Sequence, residues 1–144
     1  MNGVNIEIFL IFQKLQFINS LLTQNIYNSI KNLKDIIMEK FIQNLKLAGG
    51  EILETIPNDW YQVKAEFGVA ENGSVFVGDY TKNLFLNENV VVVLNKNEIY
   101  ENMTDVMDKI EEGVFISGPS KTADVESFLV LGAHGPMRLG VYFV

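Results

Sequence analysis

The stretch that decides the fold is residues 117–136, SGPSKTADVESFLVLGAHGP, taken with the apolar runs on either side of it. Residues 114–116 before it and residues 139–144 after it are rich in valine and aromatic side chains, which predicts two strands. Within it, residues 123–131 have helical spacing and end at a glycine. A strand, a helix and a strand in this order predict an α/β fold with a mixed, partly parallel sheet and flanking helices.

Further strands are predicted upstream, where residues 63–69, 74–77 and 90–94 are short runs rich in valine and phenylalanine. Asn72-Gly73 separates the first two runs and predicts a type I′ hairpin turn, which needs positive φ at both central residues.

A second helix is predicted over residues 103–112, which end at Gly113. The spacing places four apolar side chains on one of its faces: Met103, Val106, Met107 and Ile110.

The N-terminal third is predicted to be a helical extension, residues 1–48, in front of an α/β domain, residues 49–144. Apolar residues recur at helical spacing through residues 26–45, and Gly49-Gly50 supplies the stop signal. Residues 8–12 are a continuous apolar run that suits a buried strand as well as a helix.

Polar residues interrupt the oily N-terminal segment, and no basic residue precedes it, so we expect neither a membrane span nor a secretory signal. An exposed apolar run of this kind predicts self-association, most simply as a symmetric homodimer.

Composition restricts the function. The formal net charge of -7, from 18 acidic and 11 basic residues, disfavours nucleic acid and anionic membrane surfaces as partners. With no cysteine and a single histidine, the chain has no thiolates for an iron-sulfur cluster and too few ligands for structural zinc. The cofactor stays unknown, no metal site is predicted, and a cytoplasmic location is expected because no disulfide is needed.

The first candidate site is GVAENGS, residues 68–74, in which Glu71 stands beside glycines that let a ligand approach the backbone closely. Turn chemistry alone leaves two interpretations of Glu71 open, a functional carboxylate and an exposed hairpin residue.

The second candidate site is residues 117–124, where a strand end, a glycine loop and a helix start aim free amide groups at any nearby anion. Lys121 would add a positive charge, whereas Ser120 and Thr122 would either cap the helix or hold a ligand. The spacing is not that of a Walker A phosphate loop.

The third candidate is His134, the one imidazole of the chain, in the glycine-rich loop of residues 132–136. It would bind a ligand, shuttle a proton or serve the structure, and no Ser/His/Asp triad is assigned.

The two glycine-rich stretches resemble signatures of a known family. GVAENGS looks like the G-[IV]-A-E-[TN]-G-[ST] element, and SGPSKTADVESFLVLGAHGP is similar to the TGPSxTADIExxLVLGxHGP element, of the lactate utilization protein C (LUD-domain) family. The resemblance covers about residues 49–144. It implies a NagB/RpiA/CoA-transferase-like fold and an accessory role in oxidising L-lactate to pyruvate with the iron-sulfur lactate utilization proteins A and B.

The resemblance further implies one pocket that takes a small anionic ligand, with Glu71 and His134 as the catalytic residues. The ligand-binding residues would be Gly73, Gly118, Ser120, Lys121, Thr122, Asp124, Glu126 and Gly135.

One departure from the family and one further resemblance keep alternatives open. Only residues 51–64 separate the predicted N-terminal helix from the first signature, which is shorter than is usual in the family and is compatible with a degenerate, non-catalytic relative. Ala70-Glu71-Asn72-Gly73 also looks like the Ser-Glu-Asn-Gly motif of class I CoA-transferases, in which Glu71 would be the nucleophile of an acyl-transferring enzyme. A phosphosugar-handling enzyme is a further alternative.

Overall fold

The computed structural model describes residues 3–119 and 136–144. The chain divides into two compact units, Met1–Ile36 and Ile37–Val144. The predicted helix over residues 123–131 lies outside the described residues.

Residues 3–36 of the first unit belong to helix α1 (Gly3–Leu47). Residues 8–12, whose sequence suits a strand as well as a helix, are helical. In a helix each backbone amide forms its hydrogen bond within the same segment. Every described side chain from Asn5 to Ile36 is exposed.

The segment Asn5–Leu47 of α1 is long and apolar enough to span a membrane by length and composition, with a mean hydropathy of 1.2 in the window that meets the test. Core helices and signal sequences have the same properties, so this finding alone assigns no membrane role.

The end of α1 lies in the second unit and packs into its core, where Phe41 and Leu45 are fully buried. The helix ends as predicted, because Gly49 takes a φ of +96°. The amide of Gly49 donates to the carbonyl of Lys46 at 2.9 Å, and that of Gly50 to the carbonyl of Leu45 at 2.9 Å.

One sheet is parallel throughout. Its strands lie in the order β1 (Glu51–Ile52), β8 (Arg138–Phe143), β5 (Asn89–Leu94) and β2 (Tyr61–Lys64). The valines of β5 are mostly buried, as a central parallel strand covered on both faces requires.

The second sheet is mixed. Its order is β6 (Ile99–Tyr100), β3 (Phe67–Val69), β4 (Ser74–Val77) and β7 (Val114–Ile116), with β3–β6 parallel and the other two pairs antiparallel. The rings of Phe67 and Phe76 stack at 5.0 Å between centroids and form part of a smaller core. A short helix, α2 (Asn83–Leu86), connects β4 to β5.

The prediction of one strand over residues 63–69 is wrong, because the chain changes sheet at Ala65-Glu66. The amide of Ala65 donates to Val93 of the parallel sheet at 2.9 Å. The next amide, that of Glu66, donates to Phe76 of the mixed sheet at 2.8 Å. Successive amides of extended backbone point in opposite directions, so two adjacent residues serve two sheets.

The predicted type I′ turn is also wrong. Among the described residues between β3 and β4 only Gly73 has positive φ, at +66°, and the connection has four residues, Ala70 to Gly73. The side chain of Asn72 stabilises this wider loop, since its Oδ1 accepts from the amide of Ser74 at 3.1 Å and from its hydroxyl at 2.6 Å.

The predicted second helix forms, but as a 3₁₀ helix, Met103–Lys109, with a capping box between Asn102 and Asp105. Val106 is buried as expected, whereas Met107 is 62% exposed. The tighter winding of a 3₁₀ helix moves successive side chains by about 120° rather than 100°, so Met107 leaves the face predicted for it.

Candidate functional site

The candidate site is built around the end of α1, on which the loop of the first signature lies. The side-chain amide of Asn44 donates to the carbonyl of Ala70 at 2.7 Å and to that of Glu71 at 3.2 Å. The loop closes on itself through the amide of Gly73, which donates to the carbonyl of Val69 at 2.9 Å. These bonds hold the backbone on both sides of the Glu71 side chain.

Gly73 is required where the loop and the helix meet. A Cβ at this position would collide with the backbone of Asn44 and Leu45, and the positive φ adds a second reason for glycine. The close approach of the loop backbone to the α1 backbone therefore fixes the position of Glu71 relative to the end of the helix.

The carboxylate of Glu71 is exposed but not free. Its Oε2 accepts a hydrogen bond from the amide of Met103 at 2.8 Å, at the first turn of the 3₁₀ helix, where a negative charge is favoured. Its own amide donates to the carbonyl of Glu101 at 2.9 Å. The carboxylate is thus held at Oε2, and among the described residues no donor bonds to Oε1.

The start of the second signature, Ser117 and Gly118, also lies beside the end of α1 and the Glu71 loop. Gly118 has a φ of +74°, and a Cβ there would collide with the carbonyl of Ala48. The hydroxyl of Ser117 donates to the carbonyl of Asn72 in the Glu71 loop at 3.4 Å. Three of the predicted residues, Glu71, Gly73 and Gly118, are therefore brought to the end of α1.

The other predicted site residues lie outside the described residues. They are Ser120, Lys121, Thr122, Asp124, Glu126, His134 and Gly135. Whether His134 approaches Glu71 stays a prediction. Over residues 3–119 and 136–144, the structure has no group of three or more His, Cys, Asp or Glu side chains that could hold a metal ion.

A separate cleft of about 870 Å³ lies at the end of β2 and contains none of the predicted site residues. Charged side chains that line it are Lys64, Glu66, Asp79 and Glu98. It lies where the chain passes from the parallel to the mixed sheet, since Ala65 and Glu66 are among its lining residues. Sequence reasoning missed it because the change of sheet at Ala65-Glu66 was not recognised.

The family follows from the sequence of this same region. The model of the LUD domain matches residues 24–144, which include the end of α1 and both signatures. The chain belongs to the LUD-domain family. The resemblance seen in the two glycine-rich stretches is thereby confirmed.

Curated relatives are about one-third identical to this chain within the aligned region. Lactate utilization protein C of Geobacillus thermodenitrificans (strain NG80-2) is 32% identical in an alignment of 91 residues that covers 51% of this chain and 37% of the relative. Protein YkgG of Escherichia coli (strain K12) is 31% identical in an alignment of 97 residues that covers 57% of this chain and 42% of the relative. The chain therefore aligns with only about two fifths of the length of these relatives.

A solved structure has the same fold. A DUF162 family protein from Deinococcus radiodurans superposes with a TM-score of 0.59 at 12% identity, over 77% of this chain and 98% of that one. Together with the parallel and mixed sheets, this likeness confirms the predicted α/β fold class.

Proposed function

We propose that the chain is an accessory subunit of a cytoplasmic system that oxidises L-lactate to pyruvate, acting with the iron-sulfur lactate utilization proteins A and B. The observation that carries the proposal is the similarity to proteins named lactate utilization protein C. The absence of cysteine supports a division of labour in which partner chains hold the clusters.

The role proposed for this chain is to bind and orient a small hydroxy acid. Glu71 would accept a hydrogen bond from the hydroxyl group through Oε1, because Oε2 already accepts from the amide of Met103. A carboxylate ligand needs positive charge or amide donors instead, which Lys121 and the amides after Gly118 would supply. This chemistry requires both signatures to act in one pocket.

The proposal is tested by growth on L-lactate in a strain that lacks the gene. We expect wild type to restore growth, and Glu71→Gln, Lys121→Ala and His134→Ala to fail. Glu71→Gln keeps the shape of the side chain and removes its charge. The matched control is Glu111→Gln, which removes a charge from another exposed carboxylate and should grow normally.

Binding to partners gives a second, independent readout. Tagged chain should retain lactate utilization proteins A and B when the three are co-expressed, and the three site variants should retain them equally if the defect lies in ligand handling. Growth that never depends on the gene would end the lactate proposal. Loss of partner binding in the site variants would indicate that the substituted residues bind the partner proteins rather than the ligand.

An acyl-transferring enzyme is the second candidate, favoured by the exposed position of Glu71 in an Ala-Glu-Asn-Gly turn. The Glu71 carboxylate would attack a thioester carbonyl, the carbon–sulfur bond would break, and CoA would leave as its thiolate. The hydrogen bond from Met103 weighs against this candidate, because it stabilises the carboxylate and lowers its nucleophilicity. Purified chain incubated with acetyl-CoA and an acceptor acid would exchange CoA, and Glu71→Gln would abolish the exchange, only if this candidate is right.

A further inference from the structure

Helix α1 presents a continuous apolar stripe before it enters the second unit. Its members share two properties, helical spacing of three or four residues and 50–62% exposure. They are Ile8, Ile11, Leu15, Ile18, Leu22, Ile26, Ile30, Leu33 and Ile36. At 100° per residue these side chains fall within about a third of the helix circumference, and the five charged residues of this segment fall outside it.

The stripe is nearly symmetric about Leu22. Counted outward from it in both directions, isoleucine or leucine recurs at the same distances: Ile18 and Ile26, Ile11 and Leu33, and Ile8 and Ile36. Leu15 and Ile30 differ from this symmetry by a single residue. A helix with such a stripe can lie against a reversed copy of itself with apolar side chains meeting along the whole length.

We propose that two copies of the chain pair through this stripe as antiparallel helices, with Leu22 on the two-fold axis. The structure thus adds an orientation and a register to the self-association that the apolar N-terminus predicts. The two Leu22 side chains face each other, and Ile11 of one copy faces Leu33 of the other. Antiparallel pairing also opposes the two helix dipoles favourably.

The area is sufficient for a dimer. Residues 8–36 of a helix span about 43 Å, and a third of the circumference of a helix about 11 Å across is roughly 11 Å wide. Covering this strip on both copies buries on the order of 1,000 Å² in total, which is at the lower limit for a biological interface. The strip is mostly aliphatic, with Asn19 and Ser29 as its polar residues, and an apolar composition is typical of homodimer interfaces.

Insertion into a membrane is a less favourable way to bury the apolar stripe of α1 than pairing with a second copy. Ten of the 23 residues from Ile8 to Ile30 are polar or charged, including Lys14, the seventh residue of the run. A lysine deep in the hydrocarbon is costly, and a lipid-exposed helix would bring most of these polar groups into contact with acyl chains. The proposed dimer leaves all of these polar residues in water except Asn19 and Ser29, which lie within the stripe.

The test uses cysteine crosslinking of the full chain, which has no cysteine of its own. Under mild oxidation Leu22→Cys should form a covalent dimer, roughly tenfold or more faster than the opposite-face control Gln24→Cys, because pairing raises the effective thiol concentration. Ile11→Cys mixed with Leu33→Cys should give a mixed dimer, whereas Ile11→Cys alone should crosslink no faster than the control.

Sedimentation in solution measures the assembly without crosslinks. Wild type should sediment as a dimer at micromolar concentration, and Leu22→Asp with Ile26→Asp should give a monomer with an unchanged fold of the second unit, since neither side chain is buried. Gln24→Asp is the control and should stay dimeric. A wild-type monomer, rapid crosslinking of Ile11→Cys with itself, or flotation of the chain with phosphatidylcholine vesicles would each overturn the proposal.

Discussion

Replacing Gly73 with alanine tests whether the contact between the Glu71 loop and α1 is as tight as the structure indicates. The new Cβ would collide with the backbone of Asn44 and Leu45, which cannot rotate away as a side chain can. The positive φ of +66° adds strain. The φ contribution is about 1–2 kcal/mol and overpacking adds about 1–3 kcal/mol, so we expect a loss of roughly 2–5 kcal/mol in the free energy of unfolding.

The matched control is Gly49→Ala, which has positive φ but meets a side-chain ring rather than helix backbone. Gly49 has a φ of +96°, but the nearest atoms to a new Cβ are those of the Pro119 ring, at 3.2 and 3.3 Å. This variant should therefore lose only about 1–2 kcal/mol.

Urea unfolding followed by the fluorescence of Trp60 measures both variants. With a slope of about 2 kcal/mol per molar urea, the midpoint should fall by about 0.5–1 M for Gly49→Ala and by about 1–2.5 M for Gly73→Ala. Equal losses in the two variants would show that the loop does not touch the helix backbone, and the description of how Glu71 is held would be refuted.

Three smaller predictions concern the surroundings of the site. Asn44→Ala should cost about 1–2 kcal/mol and speed hydrogen exchange in the loop that follows β3, because two carbonyls lose their donor, whereas exposed Gln43→Ala should change neither quantity. Phe41→Ala should cost about 3–5 kcal/mol in urea unfolding, since the ring is fully buried. Arg138→Ala should cost less than about 1 kcal/mol, with a loss that shrinks at high salt, because its ion pair with Glu51 is solvent-exposed.

How much of the fold the sequence predicts depends on whether each signal is local. Gly49 stops α1 by its own conformation, and the valines of β5 form a buried strand by composition, so both were predicted. The change of sheet at Ala65-Glu66 has no such signal. Exposed and buried residues alternate without interruption from Gln62 to Phe67, and a period of two is the same whichever sheet a strand joins.

For the candidate site too, the features with a local sequence signal could be predicted and those created by tertiary contacts could not. The loop position of Glu71 could be predicted, because glycine and asparagine around it mark a turn. Its hydrogen-bond partner could not, since the amide of Met103 is 32 residues away and every residue except proline offers the same group. The positions of Gly73 and Gly118 likewise follow from contacts with α1 that only the tertiary structure creates.

These contacts change how the signature glycines are interpreted. Gly73 and Gly118 come from different signatures, yet each has positive φ and each lies where a side chain would collide with backbone. The collision of Gly73 would be with Asn44 and Leu45 of α1, and that of Gly118 with Ala48 just after α1. Their presence is accounted for by packing, without any ligand. In the proposed function the chemistry rests on Glu71 and on the polar residues after Gly118. A glycine variant that abolishes growth on lactate would therefore inform on function only if its stability is unchanged, whereas Glu71→Gln tests the proposal directly.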